Sequence, residues 1–125
     1  MWYAAPRRFD QPGALGTDGI GGNMLEEFRL AYVLHRSVDV TATPEMSWHW
    51  LETGWDLVPE ARQDRVTWSY DPMDPWHIAF TPGIRPLRVE VGGEVVFDEG
   101  RPTRVDAAEV RAKAKEQAAR LHARL

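Results

Sequence analysis

Apolar side chains recur every three to four residues in two stretches near the start of the chain, which is the spacing of one helix face. The first stretch covers residues 23–37, and Asn23 followed by Glu26 is the pattern of an N-terminal capping box. The second begins at Thr43, where the next residue is a proline that suits a first helical turn, and is expected to end near Gly54. The pattern therefore predicts two amphipathic helices, with a polar stretch after the second.

Alternating apolar and polar residues predict strands in the middle of the chain. Residues 66–70 alternate and are rich in β-branched and aromatic side chains, and residues 78–80 are a candidate short strand beyond a proline-rich loop. Two further apolar-rich runs, 87–91 and 94–97, are separated by two glycines. A two-residue turn with positive φ at both positions favours glycine, so these runs predict a β-hairpin.

A third helix is predicted from Asp106 to the end of the chain, where Glu109 completes a second capping pattern. Its apolar face is narrow and rich in alanine, and it runs from Val110 past Leu121. Over the last 22 residues six basic side chains stand against three acidic ones, a bias that the helix dipole favours near a C-terminus. We therefore expect this helix to pack on the rest of the molecule rather than on a membrane or a nucleic acid.

Composition excludes several classes of protein. With 15 Lys+Arg against 19 Asp+Glu the net charge is −4, which argues against a nucleic-acid binder because such proteins present a basic face. No run approaches the ~18 apolar residues of a membrane span. The absence of cysteine excludes disulfides and thiolate zinc sites and fits a reducing cytoplasm, where we expect the protein. At 125 residues the chain is too short for a whole (β/α)₈ barrel, which needs roughly 250.

The histidines and tryptophans carry no recognisable catalytic motif. Each histidine is isolated, with no HxH or HExxH pair, so packing or surface roles are expected for all four. The tryptophans in the middle of the chain lack a basic groove beside them and are expected in a core or an interface. The residues concerned are His35, His49, His77 and His122, and Trp48, Trp50, Trp55, Trp68 and Trp76.

Asp18 is the strongest candidate for chemistry. It follows a very short apolar step at Ala14 and Leu15, which predicts a short strand, and it lies within a turn that holds four glycines between residues 16 and 22. In a parallel α/β unit a carboxylate after a strand faces the ligand crevice. An aspartate in an Asx turn that only orders the loop fits the same spacing. The spacing alone leaves both interpretations open.

Residues 16–21, Gly-Thr-Asp-Gly-Ile-Gly, and the following Asn-Met-Leu-Glu-Glu at 23–27 resemble the eighth-strand segment of the metal-dependent amidohydrolase superfamily. The branch that contains chlorohydrolases, guanine deaminases and related aminohydrolases is the most similar. The lead-in at residues 3–6 resembles the stretch just before that strand. The hairpin at 89–96 and the final helix resemble the family's tail. The similarity covers almost the whole chain but only about the last third of such an enzyme.

The resemblance implies a fold of mixed α/β and α+β character. Residues 1–60 would supply the last β/α unit of a TIM-like barrel. Residues 61–125 would supply part of a small antiparallel β-sandwich domain, together with the C-terminal helix.

By the same resemblance, Asp18 would be both a catalytic and a metal-site residue, which takes the proton of the attacking water beside a divalent ion. Zinc is the expected metal, with iron or manganese as alternatives. Asn23 stands where the family has an aspartate, although asparagine caps a helix equally well. The family's HxH and its two further histidines are not in this chain. A catalytic zinc needs about three protein ligands, so the chain alone is not expected to be a working hydrolase.

The resulting hypothesis is a C-terminal fragment or subunit of an amidohydrolase-type enzyme. The complete enzyme would act on non-peptide carbon–nitrogen bonds of a small molecule, for example by deamination or dechlorination of a heterocycle. Its partner would be the missing N-terminal portion or a second copy of the chain. The alternative is a non-catalytic binding domain, in which Trp48 or Trp76 forms the interface and Asp18→Ala is silent.

Overall fold

The computed structural model describes residues 13–18, 22–71 and 74–124. The described residues form four α-helices, one 3-10 helix and four short strands, so the expected mixture of helix and sheet is confirmed. In chain order the elements are α1 (Met24–Val38), α2 (Pro44–Leu57), the 3-10 helix Pro59–Gln63, β1 (Arg65–Trp68), α3 (Pro75–Phe80), β2 (Pro86–Val91), β3 (Glu94–Asp98), β4 (Arg101–Pro102) and α4 (Ala107–His122).

The first helix forms as its sequence predicts. The Asn23 side chain accepts a hydrogen bond from the backbone N–H of Leu25 at 3.0 Å, so the cap is present. Glu26 does not return the bond to the cap but pairs with Arg29 one turn on. Helix α2 continues three residues past the expected end at Gly54, because one interior glycine costs a helix only about 1 kcal/mol.

The prediction of a strand at residues 78–80 is wrong, because these residues end helix α3. Pro75 takes the first helical turn, where its missing N–H costs nothing, and the Asp74 side chain caps the N–H of His77 at 2.9 Å. The strand expected at Ala14 and Leu15 is also absent. A strand needs a partner, and the N–H of Leu15 instead donates to the carbonyl of Trp50 in α2, at 3.2 Å.

The four strands form one antiparallel sheet in the order β1-β2-β3-β4. The predicted hairpin is confirmed as β2 and β3, and its two turn glycines, Gly92 and Gly93, have φ values of +58° and +82°. No residue of the four strands is buried. The sheet therefore contributes hydrogen-bonded structure but little of the hydrophobic core.

The core lies among the first three helices. Its buried apolar side chains come from α1, α3 and the segment after α3: Leu25, Phe28, Tyr32, Ile78, Ala79 and Ile84. Trp48 and Leu51 of α2 pack against this cluster from the third side. The core thus joins residues on both sides of the boundary expected near residue 60.

Helix α4 begins as predicted, with the Asp106 carboxylate accepting from the N–H groups of Ala108 and Glu109. The expectation that it packs on the rest of the molecule is wrong. None of its residues is buried, and Val110 and Leu121 on its apolar face are 51% and 58% exposed. An alanine-rich stripe offers little apolar area, so the face by itself drives docking only weakly. None of the helices in the described part of the chain combines the length and apolarity of a membrane span.

Candidate functional site

Asp18 lies on the surface at the end of an irregular segment that precedes α1. Its side chain is exposed, and its backbone has a φ of +51°, in the left-handed region that non-glycine residues adopt uncommonly. The Thr17 hydroxyl donates to the carbonyl of Asp18 at 3.5 Å, a long contact. The glycine turn continues into residues 19–21, which lie outside the described residues. The catalytic and the Asx-turn interpretations therefore both stay open.

An apolar groove lies beside the segment that carries Asp18. Leu15 and Gly16 form one wall, α1 forms another through Leu30 and Leu34, and Trp50 of α2 closes the end. The groove has a volume of about 220 Å³, and Leu30 and Leu34 are 53% and 41% exposed. Water-facing leucines in a concave surface are typical of a site that another surface covers.

The described residues do not make a metal site by themselves. Within residues 13–18, 22–71 and 74–124 there is no group of three or more His, Cys, Asp or Glu side chains that could hold an ion. Since a catalytic zinc needs about three protein ligands, Asp18 cannot hold one without residues from elsewhere. No step of chemistry through a metal can be derived from these residues alone.

Asn23 has two roles in the structure. Its side-chain oxygen caps α1, and its side-chain N–H₂ donates to the carbonyl of Ile84 at 2.9 Å. The second bond ties the start of α1 to the segment after α3, and it needs an amide, because a carboxylate has no hydrogen to donate. The bond to Ile84 is a structural function of Asn23 that the sequence pattern did not reveal.

The packing role expected of the histidines is confirmed for His35. It is buried at the end of α1, its ring stacks on Trp50 with centroids 5.0 Å apart, and its Nε2 lies 3.9 Å from the Asp39 carboxylate. His49 and His122 are exposed and His77 is half-buried. The described residues therefore do not bring the histidines together as ligands.

The tryptophans divide between core and surface. Trp48 packs edge-on against Phe28, with centroids 5.5 Å apart, and is half-buried. Trp76 is 44% exposed and stacks on Phe80, which is 64% exposed, with centroids 6.0 Å apart. Sequence reasoning missed this exposed pair because residues 78–80 were expected in a strand. The i, i+4 spacing of the two rings was the available signal, once Asp74 and the following proline are taken as a helix start.

A carboxylate lies at the edge of this aromatic pair. The indole N–H of Trp76 donates to Glu45 in the first turn of α2. Hydrogen bonds from the backbone N–H of Glu45 itself, from the Thr43 hydroxyl and from Trp76 hold the pKa of the Glu45 carboxyl below its ordinary value. The surface therefore presents two flat apolar rings beside a negative charge.

No protein-family model matches this chain, and neither the curated proteins nor the solved structures gave a match.

Proposed function

We propose that this chain is the C-terminal portion or a subunit of an amidohydrolase-type enzyme. The complete enzyme hydrolyses non-peptide carbon–nitrogen bonds, or removes chloride, from a small heterocyclic substrate. The observation that carries the proposal is the apolar groove of Leu15, Leu30 and Leu34, which is lined by the segment that leads in sequence to the exposed Asp18. An open apolar groove beside a segment that carries an exposed carboxylate is what the last unit of a divided barrel would present.

The missing portion covers the groove and gives residues 13–18 a partner strand. In this proposal residues 1–60 become the last β/α unit of a TIM-like barrel, with α1 as its helix. Residues 61–125 contribute the hairpin of a small antiparallel domain beside the barrel, together with α4. Covering leucines such as Leu30 and Leu34 supplies the driving force for association, since burying a leucine fully is worth about 1.5–3 kcal/mol.

Asp18 acts in the assembled site as the general base. A carboxylate can accept the proton of the attacking water as a general base. It can then donate that proton to the leaving amine as a general acid. A divalent ion, zinc or alternatively iron or manganese, would be held by histidines of the missing portion together with Asp18. When bound, such an ion lowers the pKa of a bound water toward 7.

The test starts with the DNA immediately upstream of the codon for Met1. We expect a frame, fused or adjacent, that encodes an HxH segment and two further histidines. Both portions are then produced together, and bound metal is counted alongside release of ammonia from guanine and of chloride from a chlorinated triazine.

Asp18→Ala is expected to lower the turnover rate by roughly 10²–10⁴-fold, the range for loss of a general base. Asp71→Ala is the matched control, since Asp71 is another exposed loop aspartate, and it should leave the rate unchanged. An upstream sequence with no such frame, or an active assembly that is indifferent to Asp18→Ala, contradicts the proposal.

The second candidate function is a non-catalytic binding domain, and the exposed Trp76–Phe80 pair beside Glu45 favours it. Trp48 is a poorer interface residue because it packs against Phe28. In this alternative Trp76→Ala abolishes capture of a partner in a pull-down, while Asp18→Ala has no effect. Capture that survives Trp76→Ala counts against the binding domain.

A further inference from the structure

Helix α4 has an apolar stripe that no other part of the described chain buries. Val110, Ala114 and Leu121 lie on one face of the helix, at spacings of four and seven residues. Val110 and Leu121 are more than half exposed, and no residue of α4 is buried. An isolated helix of this length is marginal in water, so a partner surface that covers the stripe would stabilise it.

The connection before α4 fixes the direction in which the helix leaves the sheet. Thr103 donates through its N–H to the carbonyl of Val96 at 3.0 Å and through its hydroxyl to the carbonyl of Val95. Arg104 makes two hydrogen bonds to the Glu94 carboxylate. The Asp106 cap follows directly. These bonds hold the start of α4 at the edge of the sheet, and no residue of the helix is buried.

The sheet carries a complementary apolar face. Val66, Val89 and Phe97 are direct partners across β1, β2 and β3, so their side chains lie on the same face. Val91 lies two residues beyond Val89 on β2 and shares its face by alternation, and Leu87 lies at the register shift between β1 and β2; they are 44% and 41% exposed. We call these five residues the sheet face. A concavity of about 660 Å³ lies beside Leu87 and Phe97.

The charges around the two surfaces are opposite. Residues 65–68 and 86–102, which form the sheet, carry three basic and four acidic side chains, a net charge of −1. Residues 107–124 carry five basic and two acidic side chains, a net charge of +3. Opposite charge around an apolar contact steers and orients association.

We propose that two copies of this chain form a dimer in which α4 of each copy lies across the sheet face of the other. The arrangement is reciprocal, as a two-fold symmetric dimer requires, and it covers the stripe together with the exposed part of the sheet face at Val66, Leu87 and Val91. A 16-residue helix is about 24 Å long and about 10 Å wide. Two such contacts bury on the order of 1,000 Å², the lower limit for a specific interface. The dimer is therefore expected to dissociate at micromolar concentrations.

The first test is sedimentation equilibrium of the full chain at about 1 to 200 μM. This range suits a small interface, because such an interface binds weakly. Ala114→Glu places a charge in the stripe and should raise the dimer Kd by at least about tenfold. Ala119→Glu makes the same change on the opposite face of α4 and should leave the Kd unchanged. Raising the salt concentration should weaken the dimer, because the charges around it are opposite.

The second test uses the absence of cysteine in the chain, which makes introduced thiols unique. Ala114→Cys and Leu87→Cys chains are mixed and treated with a short bismaleimide, and a crosslinked pair of chains is expected. Ala119→Cys with Leu87→Cys is the control and should crosslink poorly. The same two substitutions combined in one chain show whether α4 instead folds back, since that product keeps the mass of a single chain.

Three results overturn the proposal. One is a monomer at every concentration tested. The second is an equal effect of Ala114→Glu and Ala119→Glu on the Kd, and the third is crosslinking only within one chain. None of these readouts needs the missing N-terminal portion of the proposed enzyme or any hydrolase activity. The dimer and the proposed hydrolase can therefore fail independently.

Discussion

The two side-chain bonds of Asn23 make a testable distinction between asparagine and aspartate at a helix cap. Asn23→Asp keeps the cap on Leu25 but loses the bond to the Ile84 carbonyl and places a carboxylate against that oxygen. We expect the free energy of unfolding to fall by about 1–3 kcal/mol, the cost of an unsatisfied, partly buried polar group. Urea unfolding followed by circular dichroism measures it.

Asp106→Asn is the matched control for this substitution. Asp106 also caps a helix, and its carboxylate oxygen accepts hydrogen bonds from the N–H groups of Ala108 and Glu109. The side-chain oxygen of an asparagine can accept the same two bonds. Asp106→Asn should change the free energy of unfolding by less than about 0.5 kcal/mol, as for an ordinary surface substitution. Equal effects at both caps would show that the bond to Ile84 contributes nothing.

Glu45 gives a pH-dependent signal at the exposed aromatic pair. Its pKa is lowered in the folded protein, first by its own backbone N–H and then by the Thr43 hydroxyl, with a smaller effect of Trp76. A lowered pKa means that the contribution to stability is fully present above the ordinary value of 4.5 and is lost as the pH falls through the lower folded value. The indole N–H resonance of Trp76 should therefore titrate below pH 4.5.

Glu45→Gln removes the titrating group, so the Trp76 resonance should become independent of pH in this range. Glu60→Gln is the control, because Glu60 is an exposed glutamate in the 3-10 helix, away from this pair in sequence. A Trp76 resonance that still titrates in Glu45→Gln would assign the transition to a different carboxylate.

At the scale of elements, glycine has opposite effects at two places in the chain. Gly92 and Gly93 have positive φ in the turn between β2 and β3. An added Cβ would meet no neighbouring atom there, but a residue with a side chain would be strained at that φ. Gly54 lies within α2 with open space around it and no positive φ. We expect Gly93→Ala to destabilise the protein by about 1 kcal/mol and Gly54→Ala to stabilise it by about 0.5–1 kcal/mol. Thermal unfolding of the two variants measures both signs, and a stabilising Gly93→Ala would contradict the turn geometry.

The elements that could be predicted from the sequence are those with local signals. The cap residues Asn23 and Asp106 accept hydrogen bonds from N–H groups two or three residues further on, as predicted. The glycine pair forms the turn of the predicted hairpin. Helix α3 was mistaken for a strand because Ile78 and the next two residues are apolar throughout and too few to show a period. There, the cap at Asp74 was the better guide.

Features that depend on distant residues could not be predicted in this way. The amide of Asn23 bonds to a carbonyl 61 residues away, which no local pattern encodes. The docking of α4 was expected from its composition, but its position depends on the bonds of Thr103 and Arg104 to β3. For the same reason Asp18 was identified as a candidate without any of the neighbours that a catalytic site requires.

At the scale of the whole molecule, the stabilising core is confined to the helical part. Phe28 is completely buried at its centre, whereas the strands and α4 contribute no buried residue. Stability is therefore distributed unevenly, and local opening is expected to begin where few apolar contacts hold the backbone. This arrangement also accounts for the exposed apolar surfaces on which both proposals rest.

Hydrogen exchange followed by mass spectrometry tests this distribution. At 1 μM protein, below the expected concentration for association of a small interface, amides of α1 should exchange far more slowly than those of α4, because none of the 16 residues of α4 is buried. Phe28→Ala should cost about 3–5 kcal/mol and remove the protection of α1, since that is the cost of a truncated core phenylalanine. Leu30→Ala on the same helix is the control, because Leu30 is 53% exposed, and it should leave α1 protected. Equal protection of α1 and α4 at this concentration would mean that α4 is packed in the single chain, contrary to the structure.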